Sequence, residues 1–413
     1  THAPDSTIWI VDFYREIIKD YSAIPRYLQQ QYGLVNGRDR GRIWRLTHAA
    51  APASTAADMS RLGSDELVRE LGSQHFWRRQ TARRLLIERG AKAEADALRK
   101  LLAADAPPAA TLEALAVLEA SAILSPADVR TALAHADAGV RIRGLRLAET
   151  RLDKSDAPPA ERIVSLADDA DPRVRLQAAL SLAAIGGDRA VDTWARLARD
   201  VDREPWLSAA IVTASADLAH RLIGRLQDAT STESARSMSS LLQALAAVIG
   251  ARRDDAQVGR LLTTVADSPL ASASTPLLQG LVEGLKRRRP EPLKDAAGTA
   301  ALTELLSSPS PAVGARALQI AGLVRSPESE TLRRIWDQAA DAALNAHRAP
   351  ADRAASAELL SAAPYAVRSR LRSLLDIRQP VEVQSAALGC LAAGDEPDVA
   401  GDLTTSLDKV SPE

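Results

Sequence analysis

The sequence predicts an all-α chain, an α/α solenoid of stacked helical pairs preceded by a small β-containing stub. Three observations lead there. Hydrophobic residues make up 46% of the 413-residue chain but aromatic ones only 3%, with two Phe and two Met, so the apolar material is Ala, Leu and Val. Such side chains let helices approach closely, as stacked pairs require. A motif opening on an acidic or hydroxyl cap with Val three residues on, fullest as Asp-Pro-x-Val-Arg-x-x-Ala at 171–178, returns in weaker copies along the chain. The first 48 residues have a different character, with β-branched and aromatic runs separated by turn residues. A chain of this length exceeds one ordinary compact core, which leaves separate domains or an extended array.

The elements follow in order. IWIVDF at 8–13 reads as a short strand. Pro25 opens a short helix in PRYLQQQYG, closed by Gly33, and the Asn36-Gly37 pair marks a tight turn. RGRIWRLTH at 40–48 reads as a second strand with Ile43 and Trp44 on opposite faces. Two strands and one helix cannot bury a core alone, so residues 1–48 must pack against something else, as the tail of a preceding domain would. Residues 49–63, containing AAAPASTAADMS, read as a linker, residues 64–405 as the helical array and residues 406–413 as a tail.

The array starts with SDELVRELGS, capped by Ser64, and with HFWRRQTARRLLIERG, which sets Trp77, Ala82, Leu85 and Leu86 at helical spacing before Gly90. A further helix is expected at 107–120. Then come DAGVRIRGLRLAE (137–149), DPRVRLQAALSLAAIG (171–186) and, more loosely, SPAVGARALQIAGL (310–323), with related runs near Ser208, Leu242, Leu277, Arg353 and Gln384. Arg141 and Arg175 are 34 residues apart in equivalent positions, and the period runs from roughly 31 to 39 residues, the length of a two-helix unit. Asp137, Asp171 and Ser310 are the expected N-caps, with Pro172 and Pro311 at first helical positions, where a missing N–H costs nothing. Val174, Ala178, Leu182 and Ile185 make one apolar stripe that only a neighbouring unit can cover, and about nine to ten units would share one continuous core.

The unit at 171–186 resembles HEAT repeats, with weaker copies over residues 64–405. The opening stretch resembles the closing segment of the β-propeller in Planctomycete- and Verrucomicrobia-type membrane-bound dehydrogenases, carried by Asp12, Tyr14, Arg15, Pro25 and the run Gly37 to Arg45, which includes Arg38, Asp39, Arg40, Arg42 and Trp44. That resemblance implies a larger bacterial, extracytoplasmic or periplasmic polypeptide in which a propeller precedes the HEAT repeats and a cytochrome c module follows. It implies haem c and a propeller cofactor in the parent, none of them held by this chain, which has no CxxCH and lacks most of the propeller. THAPDST opens no signal peptide, so an export signal would lie upstream. The stub's arginines are expected to lock strand to helix, with Asp39 pairing Arg15, Arg40 or Arg42; the other reading has Arg15 or Arg38 facing the propeller's cofactor or substrate.

No catalytic or metal constellation stands out. The six histidines, at 2, 48, 75, 135, 220 and 347, show no metal-binding spacing, and no nucleophile elbow, P-loop or dinucleotide fingerprint occurs. The single cysteine, Cys390, sits in an apolar run and reads as core. The acids Asp168, Asp169, Asp171, Asp254 and Asp255 stand at helix ends as caps. Basic clusters at Arg78, Arg79, Arg83 and Arg84 and at Lys286, Arg287, Arg288 and Arg289 form a candidate basic patch. Against nucleic acid stand 52 Lys and Arg balanced by 53 Asp and Glu, and a scarcity of aromatics for base stacking. No stretch approaches a membrane span. Trp194, Trp206 and Trp336 are core residues or anchors for a partner. The sequence therefore points to a non-catalytic scaffold that binds protein or holds neighbouring domains. The alternatives are a parent oxidoreductase whose catalytic parts lie outside this chain, and an independent adaptor for protein or nucleic acid.

Overall fold

A computed structural model describes residues 2–5, 7–14, 23–34, 36–37, 39–48, 58–103, 105–150, 157–228, 238–267, 271–326, 329–393, 401 and 404. The chain forms an all-α solenoid with a small β-stub. It divides into two compact units, residues 1–162 and 163–413.

In the first unit, strands β1 (Ile8–Asp12) and β2 (Arg42–Leu46) pair antiparallel with Ile10 opposite Trp44 and Asp12 opposite Arg42. A single bridge from His2 to Ile8 extends the ribbon on the β1 side. Between the strands, the helix Arg26–Gln31 follows Pro25, whose fixed φ suits a helix start. The return to β2 needs Gly37, at φ +84°, because a Cβ there would stand 2.7 Å from the Tyr14 carbonyl oxygen. The helices Phe76–Arg89, Pro108–Ala120 and Ala138–Glu149 stack in succession, with Ser64–Glu70, Ala95–Lys100 and Pro126–Leu133 preceding them as first members of pairs. The cap of the first of these is Gly63, not Ser64: Glu66 reaches back to accept its N–H at 2.9 Å. The helix Ala157–Leu166 crosses the boundary between the units.

The second unit is two layers of helices in strict alternation. One layer runs Pro172–Ile185, Pro205–Ala214, Ser239–Arg252, Ala271–Leu285, Pro311–Leu323, Pro350–Glu358 and Val381–Leu391. The other runs Gly187–Leu197, Ala219–Asp228, Asp255–Ala266, Ala296–Leu306 and Glu330–Leu344, and ends in the 3₁₀ segment Ser369–Leu375. Successive helices of a layer pack together along most of the stack, with Pro311–Leu323 meeting the 3₁₀ turn Leu359–Ala362 that continues Pro350–Glu358, so the apolar stripes are covered by neighbouring repeats. Val174, Ala178 and Leu182 are fully buried, while Ile185, at the end of its helix, is only half-buried. Trp194 is also buried and donates its indole N–H to the Ala179 carbonyl at 2.8 Å.

The closest approach lies between Ser239–Arg252 and Ala271–Leu285. A Cβ on Gly280 would stand 2.0 Å from the Gln243 carbonyl oxygen, and one on Gly284 2.2 Å from that of Ala247. These glycines, four apart on one helical face, let two backbones touch where any side chain would hold them apart.

The repeat caps at Asp137 and Asp171 follow the sequence, and Ser310 departs from it in part. Asp137 accepts from the Val140 N–H at 3.1 Å, and Asp171 from the Arg173 N–H at 2.8 Å. Pro172 and Pro311 occupy first helical positions. Ser310 stands at the N-cap, but its hydroxyl makes no capping hydrogen bond. The Ser308 hydroxyl accepts from the Ser310 N–H at 3.3 Å.

Candidate functional site

Two features stand out: the β-ribbon's open surface and the arginines that lace the helices together. On one face of the ribbon the register places Ile8, Ile10 and Asp12 against Leu46, Trp44 and Arg42. Asp12 is the polar centre of that face. It accepts from Arg42 Nε at 2.8 Å, from the Trp44 indole N–H at 2.9 Å and from the Tyr14 N–H at 3.1 Å. The Trp44 and Arg42 side-chain bonds, in that order, hold the Asp12 carboxyl below the usual range. The Arg42 guanidinium lies 4.8 Å from the Tyr14 ring centre and 5.0 Å from that of Trp44, between two aromatic faces. On the other face Arg45 pairs with Asp5 at 2.6 Å.

The Arg42 alternative for Asp39 is therefore corrected: Arg42 pairs across the strands with Asp12, because the register sets those two side by side. Asp39 and Arg40 are exposed in the connection to β2. Arg15 and Arg38 lie outside the described residues.

Both ribbon arginines are neutralised by carboxylates, and what remains is apolar and uncovered. Ten of the 15 large exposed hydrophobic residues among those described fall between Ile8 and Leu46, including Val11 at 70% exposure, Ile43 at 64% and Trp44 at 54%. The outer edge of β2 pairs with no strand among the described residues. Exposed strand edges are ordinarily guarded by free charges, bulges or a covering element, and among the described residues Arg42 and Arg45 are both paired and no further strand lies on β2. Sequence reasoning found the strands from their β-branched and aromatic content and named Asp12, Tyr14, Arg42 and Trp44 in one motif, but not the bonds by which Asp12 joins them.

The candidate basic patch takes a different form in the structure. Arg79 donates one nitrogen, Nη1, to the Ser73 and Gln74 carbonyls at 2.7 and 3.1 Å and lies over Phe76. Arg83 pairs with Glu113 of the next repeat at 3.1 Å, and Arg78 with Glu70. Arg288 donates to the Ala251 carbonyl at 2.8 Å, while Arg287 is exposed at the helix end. Four of these five side chains, Arg78, Arg79, Arg83 and Arg288, are thus tied into the scaffold.

The Arg79 geometry recurs. Arg141 donates Nη1 to the His135 and Ala136 carbonyls, and Arg175 to those of Asp169 and Ala170. In each case the acceptors lie six and five residues earlier, in the turn that follows the first helix of the pair. The arginine binds two carbonyls of that turn, and its charge suits the negative end of the preceding helix. The Val-Arg of the repeat is therefore a hairpin clamp. Its sequence signal was a constant four-residue distance from the cap, which joins His75 and Arg79 to Asp137 and Arg141, and to Asp171 and Arg175.

Arg–acid pairs also bridge successive units: Arg143 with Glu119, Arg175 with Glu204, Arg196 with Asp168, Arg221 with Asp188, Arg225 with Asp192, Arg252 with Asp217, and Arg370 with Asp337 and Asp341. Asp168 is thus an inter-helix partner, whereas Asp254 is a cap that accepts from the Ala256 and Gln257 N–H groups. A cavity of about 450 Å³ near Arg175 is lined by members of these pairs. A shallower groove of about 610 Å³ is floored by Ala351, Ala354, Ala355 and Ala386, with Glu358 and Glu382 among its lining residues.

Cys390 is buried, and desolvation pushes its thiol up to about 12, which removes thiolate reactivity at ordinary pH. Of the tryptophans singled out, Trp194 and Trp336 are core, whereas Trp206 is 78% exposed at the start of its helix. Among the described residues no three His, Cys, Asp or Glu side chains cluster to hold a metal, and no helix is long and apolar enough to cross a membrane.

A family described as a domain of unknown function, DUF7133, matches residues 1–50, the ribbon and its short helix. No curated protein matches the sequence. Among solved structures, Kap121p bound to Ste12p aligns with TM-score 0.52 and 12% identity over 83% of this chain and 43% of that one. Kap121p bound to Pho4p aligns with TM-score 0.51 and 12% identity over 86% of this chain and 44% of that one. The chain thus spans less than half the length of those solenoids. At that identity the likeness is one of fold, a HEAT-like helical repeat.

Proposed function

We propose that this chain is a non-catalytic scaffold which couples a β-rich domain, seated on the ribbon, to protein partners or further domains held by the helical repeats. The observation that carries this reading is the concentration of exposed apolar side chains on a two-stranded ribbon whose charges are already paired. A β-domain adding strands at β2 would cover Ile43, Trp44 and Leu46 without leaving a buried charge unpaired. The DUF7133 match, confined to the same 50 residues, supports treating the ribbon as a piece of a domain distinct from the helices.

In the finer reading the ribbon is the last part of a propeller in a larger, extracytoplasmic, dehydrogenase-like bacterial polypeptide. Its cofactor and haem would reside in parts other than this chain, and the helical repeats would keep them at fixed separation. The support is the Asp12, Tyr14, Arg42 and Trp44 motif, whose members form one hydrogen-bonded and stacked cluster. Protein partners for the array are supported by Trp206, an exposed anchor of the kind that dominates interfaces, and by the solved solenoids of the same fold, which hold Pho4p and Ste12p. Nucleic-acid binding is disfavoured, since Arg79, Arg83 and Arg288 direct their donors into the scaffold.

The test is the intact mass of the native gene product with a covalent-haem stain on the same band. A much larger, haem-positive polypeptide is expected. A haem-negative product near 44 kDa would remove the dehydrogenase link and leave partner capture by the repeats.

A further inference from the structure

We propose that the seam between the helices Ala219–Asp228 and Asp255–Ala266 is a pH-sensitive joint, held closed by a neutral His220 and loosened when that imidazole becomes imidazolium. The argument starts from donor and acceptor capacity. Arg260 Nη1 lies 3.0 Å from His220 Nε2 across the seam. A guanidinium offers only N–H donors, so Nε2 must be the acceptor and the ring's one proton sits on Nδ1. Nδ1 is buried, and so is Gln257 Oε1, one turn before Arg260. The two fall short of strict hydrogen-bond geometry, yet the Gln257 amide acts on the ring as a hydrogen-bonding neighbour. Gln257 in turn donates to Asp254 Oδ2 at 3.3 Å, and Asp254 caps the helix with its other oxygen. Gln257 and Arg260, on the helix that Asp254 caps, therefore line up against His220 of the preceding repeat, and the Arg260–His220 hydrogen bond, which needs one tautomer of the imidazole, crosses the seam.

Protonation breaks that bond. A hydrogen on Nε2 would face the Arg260 N–H groups, donor against donor and cation against cation. The other charges around the ring give no relief. Arg221, on the same helix, is also a cation, and its carboxylate partner Asp188 belongs to the neighbouring helix Gly187–Leu197. Arg225 is held by Asp192 of that helix, and Arg252 of the adjoining helix Ser239–Arg252 by Asp217. Gln257, by hydrogen bonding, and Asp254, by its charge, are the groups that pull toward the charged ring. Burial first, then Arg260 and Arg221, hold His220 below the ordinary imidazole value against the opposing pull of Gln257 and Asp254. The sign follows: an unfolded imidazole protonates near pH 6.5, so the seam's stability is complete above that value and declines as pH falls below it.

The experiment is hydrogen exchange of the full chain at pH 7.5 and 5.0, corrected for the chemical pH dependence of exchange, in wild type and His220→Gln. A glutamine oxygen still accepts from Arg260 but does not titrate. Wild type should lose protection in 219–228 and 255–266 at pH 5.0, by about tenfold for each pH unit by which the ring is held down, and the variant should not. Equal wild-type protection at both values, or a variant that keeps the wild-type dependence, overturns the proposal. A proton NMR titration of the His220 ring gives a second readout if the variant does not fold. A midpoint below 6.5 that rises in Arg260→Gln is expected; a midpoint at or above 6.5 contradicts it.

Discussion

The ribbon and the helical repeats solve the problem of apolar surface in opposite ways. In the repeats each helix covers its neighbour, and Leu182, Leu245 and Leu281 are all inaccessible to solvent. In the ribbon Ile10, Val11, Ile43 and Leu46 stay exposed among the described residues, although their composition suits a core. The charges divide the same way. Repeat arginines reach to the turn before their helix or to the next unit, whereas Arg42 and Arg45 pair within the ribbon itself. The helices are self-sufficient because stacking repeats the same interface; two strands cannot, because a sheet needs a second layer.

Several substitutions would sharpen that contrast. Leu182→Asp places a charge in the inter-repeat seam and should cost about 4 kcal/mol or more, read as a collapse of the cooperative thermal transition. The same change at Val11, 70% exposed, should leave the transition in place. A Val11→Asp protein that melts like Leu182→Asp would mean that the ribbon has a core of its own. Gly284→Val drives a side chain into the Ala247 carbonyl and should cost about 3 kcal/mol by overpacking, with loss of protection centred on 239–252 and 271–285. Arg175→Ala leaves the Asp169 and Ala170 carbonyls without their clamp and Glu204 without its partner, for a loss of about 2 kcal/mol in denaturant unfolding. Arg175→Lys should not restore it, since an ammonium lacks the planar fork.

The smallest effect concerns acid. The Arg173 guanidinium, with that residue's backbone N–H, lowers Asp171 from 3.8 to about 2. A depressed carboxylate stabilises the fold above its unfolded value and loses that contribution as pH falls from about 4 through about 2. Asp171→Asn should therefore flatten the acid limb of the stability curve in that window, and less so at high salt, because Arg173 is largely exposed.

How much of this was legible depended on whether the signal was local. Asp171 with Pro172, and the stripe Val174, Ala178 and Leu182, are local, and the helix they define forms where periodicity puts it. Trp206 and Trp194 look alike in sequence, but one is exposed and the other buried, because that depends on which side the next helix packs. Arg79 and Arg83 read as a basic patch for the same reason: their acceptors are turn carbonyls and a glutamate 30 residues away, and only the hairpin brings these together. The Asp12–Arg42 pair escaped because charge alone made Asp39, three residues from Arg42, the nearer partner, whereas strand register decides the matter.

The most direct measurement is hydrogen exchange of the isolated chain at neutral pH, comparing ribbon amides at 8–12 and 42–46 with helical amides at 172–185 and 239–252. An uncovered ribbon should exchange orders of magnitude faster than the helices, which open only with their neighbours. Equal protection in both would show that the ribbon is complete as it stands, and would contradict its assignment as a docking surface for a further β-domain.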